Sequence, residues 1–225
     1  MTGQACIGMI DSGCSPGQAL ALRAARRFWL DDGVLREGPA LPDQLGHGSA
    51  VLGCLQTQAG DMPVLLAQVF GQQWSTSALQ VAAALLWLVE QGASVINLSL
   101  GLHQDRPVLR QACDEALATG ALLCASSPAR GGPVYPASYP GVLRITGDAR
   151  CAPGQWSWLG SAQADVGGYV GGRGLAGASL ACAAVSGQVA AWLRECPGLD
   201  RQQVVERLRA GACFIGPERR GGRDG

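Results

Sequence analysis

Short apolar runs of strand length alternate with longer apolar segments of helical length through most of this 225-residue chain, with glycine or polar residues between them. Cys6 to Ile10 reads as a buried strand stopped by Asp11-Ser12-Gly13, and Val64 to Phe70, Val95 to Leu100, Ala121 to Ala125 and Gly141 to Thr146 are runs of the same kind. Leu79 to Gln91 reads as an apolar helix closed by Gly92, and Pro107 to Thr119 as a helix closed by Gly120. Strands joined through helices of this length need crossover connections, so the expected class is α/β with a mostly parallel central sheet flanked by helices.

The remaining segments complete the plan. Ala19 to Leu30 has helical spacing, with Arg23, Arg26 and Arg27 on its other side, and predicts a further helix. After a glycine-rich stretch from Val166 to Gly177 come a long apolar helix, Ser179 to Arg194, and an amphipathic one, Arg201 to Ala210. Residues 1–215 are expected to form one domain, and the Arg- and Gly-rich residues 216–225 a flexible tail.

Composition narrows the function classes. With 48% hydrophobic and 15% charged residues the chain can bury a sizeable core. Its formal net charge is zero, so no whole-protein field draws it to nucleic acid or to an acidic membrane, and neither partner is expected. Nine cysteines occur without a CxxC pair or a Cys/His cluster of zinc-site spacing, and several lie inside apolar runs as small hydrophobes. No metal and no cofactor are expected. The first residues carry no secretory signal, and the odd cysteine count argues against a complete disulfide framework, so the expected location is the cytoplasm.

Amide hydrolysis by a serine needs a hydroxyl nucleophile, a histidine to move its proton and a carboxylate to orient that histidine. Only two histidines are present. His103 sits in a polar loop and reads as a surface residue. His47 lies between Gly46 and Gly48, just ahead of the apolar run Ala50-Val51-Leu52, where backbone can approach closely and a helix follows at once. The glycines Gly167, Gly168, Gly171, Gly172 and Gly174 raise a nucleotide-loop alternative, but no strand leads into them as a phosphate loop requires, and turns are expected instead.

Three segments together resemble the subtilisin-like serine proteases, the subtilases. Ile7-Gly8-Met9-Ile10-Asp11-Ser12-Gly13 is similar to the family's strand ending in Asp-Thr/Ser-Gly. His47-Gly48-Ser49 through Gly53 is similar to His-Gly-Thr and its helix, and Gly177-Ala178-Ser179-Leu180-Ala181-Cys182-Ala183, with Gly187, to Gly-Thr-Ser-x-Ala-x-Pro. They occur in the family's order, and the likeness runs from residue 5 to about 210. It implies a subtilisin-like three-layer fold and a triad of Asp11, His47 and Ser179. It also implies an oxyanion site from Ser179 and Ser127, and substrate contacts from Ser99, Leu100, Gly101, Cys124, Ala125, Ser126 and Val134.

The same resemblance marks departures. Where the family has an oxyanion Asn, this chain reads Cys124-Ala125-Ser126-Ser127-Pro128, which leaves a shorter hydroxyl at Ser127 for a donor whose loss costs about 100-fold to 1000-fold in turnover. Val134 replaces a small residue near the base of the pocket that precedes the scissile bond, which predicts a shallow pocket for a small side chain. A minimal form without signal or propeptide is expected, as are peptide or protein substrates. Two activities stay open: a peptidase, in particular one that removes a leader from a ribosomal peptide product, and an impaired subtilase that binds peptides or serves as a partner subunit.

Overall fold

The computed structural model describes residues 5–170 and 177–218. In chain order the elements are β1 (Cys6–Asp11), α1 (Pro16–Ala19), β2 (Leu22–Asp31), β3 (Val34–Pro39), α2 (His47–Ala59), β4 (Val64–Gln68), α3 (Ala78–Glu90), β5 (Ala93–Leu98) and α4 (Pro107–Ala118). They continue with β6 (Leu122–Ser126), β7 (Leu143–Gly147), β8 (Trp156–Trp158), β9 (Val166–Gly168), α5 (Gly177–Glu195), α6 (Arg201–Ala210) and β10 (Phe214–Ile215). The strands form one sheet in the order β10-β8-β9-β7-β6-β5-β1-β4-β2-β3. From β9 to β2 every neighbouring pair is parallel, while β3 and β8 run antiparallel to β2 and β9.

Both faces of this sheet are covered, which explains why its central strands read as unbroken apolar runs. Successive side chains of β1 point to opposite sides: Cys6 and Ile10 join the core under α3 and α4, and Ile7 and Met9 the core under α2 and α5. The layers are therefore helix, sheet, helix. Helices α2 and α5 pack closely, because a Cβ on Gly187 would fall 2.5 Å from the carbonyl oxygen of Leu55. The glycine following the serine motif is thus a contact point between helix backbones.

Most predicted elements lie within two residues of their expected bounds, but the expected helix from Ala19 to Leu30 is wrong. Helix α1 ends at Ala19, and Leu22 to Asp31 is a strand between β4 and β3. Residues Asp32 and Gly33, at φ 48° and 78°, close a two-residue hairpin turn of the kind that matches strand twist. Pairing on both sides outweighs local helix preference here, and it seats Phe28 against Trp87 at 6.1 Å between ring centroids. Gly167 and Gly168, expected in turns, form β9 itself, whereas Gly171, Gly172 and Gly174 lie outside the described residues. Of the expected tail, Gly216, Pro217 and Glu218 are described and residues 219–225 lie outside. Among the described residues no helix is long and apolar enough to cross a membrane.

Candidate active site

Chain order reverses on either side of β1, so a crevice opens beyond the carboxyl ends of the central strands. Asp11 is the last residue of β1 and is fully buried. His47 is the first residue of α2, and its Nδ1 lies 2.7 Å from Asp11 Oδ1, which also accepts the Ser12 N–H at 2.7 Å. Gly48 permits this contact: a Cβ there would sit 2.2 Å from the Gly13 carbonyl oxygen, in the turn directly after Asp11.

Ser179 lies in the first turn of α5, fastened to the end of β5 by buried hydrogen bonds. Its hydroxyl donates to the Ser99 carbonyl at 3.4 Å, and Ser99 Oγ donates to the Ser179 carbonyl at 3.1 Å. Behind them Asn97 Nδ2 donates to Ser99 Oγ at 2.9 Å, and Ser186 Oγ to Asn97 Oδ1 at 3.1 Å. His47 and Ser179 open onto one cleft of about 730 Å3 whose wall also includes Ser99, Leu100, Gly101 and Ser126.

The electrostatics follow from burial against partners. Burial pushes the Asp11 carboxyl above its usual value, against the hydrogen bonds from His47 and Ser12, and its Oδ2 has no partner among the described residues. Burial alone would lower His47, but the hydrogen bond and charge of Asp11, with the charge of Asp43, outweigh it and raise the imidazole above 6.5. A buried carboxylate thus holds an imidazole at Nδ1 in a cleft shared with a serine hydroxyl. Such a set can move a proton off that hydroxyl.

Several predicted contacts do not reach the cleft. Cys124 and Ala125 are at most 1% exposed in the middle of β6, where alternation turns them into the two cores, so they are not substrate contacts. Ser127 is buried too, and its hydroxyl donates to the Gln163 carbonyl at 2.8 Å instead of lining the cleft. Val134 packs on Gly101, where a Cβ would meet the Val134 Cβ at 3.1 Å, beside paired Leu102 and Tyr135. His103 is exposed. Among the described residues no group of His, Cys, Asp or Glu could hold a metal ion.

The sequence reading missed two contributors. Asp43 gathers hydrogen bonds around the His47 loop, and its only signal is a lone carboxylate four residues ahead of the histidine. Trp74, 61% exposed, sets its ring at 83° to His47 with centroids 5.1 Å apart and leans on Phe70. An aromatic residue in a polar loop after a strand is a weak signal alone.

Known proteins share this fold and part of this sequence. No family model matches the chain. It is 25% identical to a thermostable alkaline protease of Halalkalibacterium halodurans, over 93% of this chain and 62% of that protein, and 28% identical to Subtilisin Savinase of Lederbergia lenta, over 62% and 54%. The chain therefore spans about half to three fifths of the length of these curated relatives. Among solved structures, a psychrophilic protease aligns with a TM-score of 0.68 at 19% identity over 92% of this chain and 83% of the other. A lanthipeptide protease aligns with a TM-score of 0.63 at 18% identity over 90% and 79%. The fold is subtilisin-like, and with the sequence similarity this makes the chain a subtilase-like protein.

Proposed function

We propose that this chain is a serine endopeptidase, with residues 1–215 as its catalytic unit and Asp11, His47 and Ser179 as its triad. The observation that carries the reading is the 2.7 Å contact of His47 Nδ1 with buried Asp11 in the cleft that Ser179 also lines. The Ser179 hydroxyl exchanges the Ser99 carbonyl for His47 Nε2, loses its proton there and attacks the peptide carbonyl. His47 then protonates the leaving amine, and water releases the acyl group by the same route in reverse. The Ser179 backbone N–H, at the start of α5, is aimed where helix termini stabilise negative charge and serves the oxyanion.

The cleft also suggests what is cut. Apart from His47, its lining residues carry no charged side chain, so a neutral peptide segment fits best. The fold is shared with a lanthipeptide protease, and the proposed task is removal of a leader from a ribosomal peptide product, with the cytoplasm as the proposed location. One observation favours the second reading, a subtilase that binds peptides without cutting them: the Ser127 hydroxyl is engaged by Gln163 and leaves one oxyanion donor fewer.

The test is a fluorophosphonate probe followed by mapping of the labelled peptide. Labelling at Ser179 that is absent from folded Ser179→Ala supports the peptidase. A folded wild type inert to probe and peptides alike leaves the binding reading.

A further inference from the structure

Asp43 lies in the loop that leads into α2, and its carboxylate collects five donors. Oδ1 accepts from Ser12 Oγ at 2.9 Å and from the backbone N–H groups of Leu45 and Gly46 at 3.0 Å each. Oδ2 accepts from Ser49 N at 2.8 Å and from Ser49 Oγ at 2.7 Å. These donors come from three separate pieces of chain: the turn after Asp11, the two residues before His47, and the first turn of α2. Ser12 Oγ, held by Asp43, in turn accepts the Gly48 N–H at 2.9 Å. The residue on each side of His47 and the residue after Asp11 are therefore tied, directly or through one hydroxyl, to a single carboxylate.

That arrangement answers a need of the helix. The N-cap of α2 is Gly46, which has no side chain to satisfy the first N–H groups. Asp43 reaches in from three residues earlier and caps Ser49 N, placing negative charge where the helix dipole favours it. Burial alone would raise its carboxyl, but the hydrogen bonds from Ser49, Ser12 and Leu45 outweigh it and hold it below its usual value, so Asp43 is charged at neutral pH.

We propose that Asp43 is a positioning residue for the proposed reaction: it sets His47 against Asp11 and supplies a second negative charge to the imidazole. The charged groups bearing on His47 are Asp11 at the end of β1 and Asp43 before α2. From the segment after β4 it meets Trp74, and β5 and α5 bring Ser99 and Ser179 to the same cleft, all uncharged; buried Cys14, in the turn after β1, has its thiol pushed up and stays neutral.

The inference rests on the peptidase reading but is tested apart from it, by titrating the histidine ring signals in the Ser179→Ala protein with Asp43 intact and with Asp43→Asn. The substitution keeps an oxygen for one set of donors and removes the charge. The His47 midpoint is expected to fall by about half a pH unit. In the Ser179 enzyme the same change is expected to lower kcat about 10-fold or more with KM nearly constant, and to move the acid limb of the pH profile downward. An unmoved His47 midpoint overturns the proposal even if the protein cuts no peptide. Should Asp43→Asn fail to fold, Ser49→Ala removes one donor and keeps the charge; kcat is expected to fall a few-fold with the His47 midpoint unlowered, and an unchanged kcat overturns the positioning role.

Discussion

A Cβ atom on Gly48 would lie 2.2 Å from the carbonyl oxygen of Gly13, so the first turn of α2 rests directly on the backbone of the turn that follows Asp11. No side chain at position 48 fits without separating the two. Gly48→Ala is therefore expected to lengthen the His47 to Asp11 contact and lower peptidase turnover about 100-fold. Its stability cost should be about 1–3 kcal/mol, as for other overpacked sites. Activity assays beside thermal melts check this, and wild-type turnover in the variant would show that the turn yields freely.

His47→Ala is expected to reduce turnover by about 10⁴ or more if Asp11, His47 and Ser179 act as a unit. His103→Ala should leave it intact, because that residue is exposed in a separate loop. Single-turnover acylation of the two variants separates them, and the reverse ranking would make His103 the base.

In the proposed triad only neutral His47 can accept the serine proton. Because Asp11 and Asp43 raise its pKa over the opposing effect of burial, activity should fall with acidification around a midpoint above 6.5. The probe-labelling rate of the folded enzyme between pH 5 and 9 measures this. A flat rate contradicts a histidine base.

Ser127→Ala is expected to act on stability more than on rate. It leaves the Gln163 carbonyl without its 2.8 Å donor, a loss of about 1 kcal/mol, and turnover should stay near wild type. A loss of about 100-fold in kcat, the size expected for an oxyanion donor, would return Ser127 to that role.

Val134 packs behind Gly101 and outside the cleft lining, so Val134→Ala should act on stability more than on selectivity. The ratio of kcat/KM for a peptide with leucine before the scissile bond to that for alanine is expected to change by less than about 2-fold, at a stability cost of about 1–2 kcal/mol. Comparing the two peptides on both enzymes reads the effect directly. A rise of about 10-fold would return Val134 to the pocket wall.

The sequence by itself determined what local pattern can carry: an α/β order, the apolar strands from Cys6, Val64, Val95 and Ala121, and the helix Arg201 to Ala210. The proposed triad of Asp11, His47 and Ser179 came from the resemblance of three short motifs to those of the subtilases, and such motifs are local in the chain. Tertiary structure alone decided matters that depend on partners far along the chain. Leu22 to Asp31 is a strand because β3 and β4 flank it, although its spacing favours a helix. Ser127 turns from the cleft because its hydroxyl donates a hydrogen bond to the Gln163 carbonyl, 36 residues later, and Cys124 and Ala125 are buried because helices cover both faces of β6. Asp43 gathers its donors only after β1 and α2 have met. A pattern of apolar residues fixes which face is buried, but the direction of a hydroxyl or carboxylate is set by whichever group the fold brings within 3 Å.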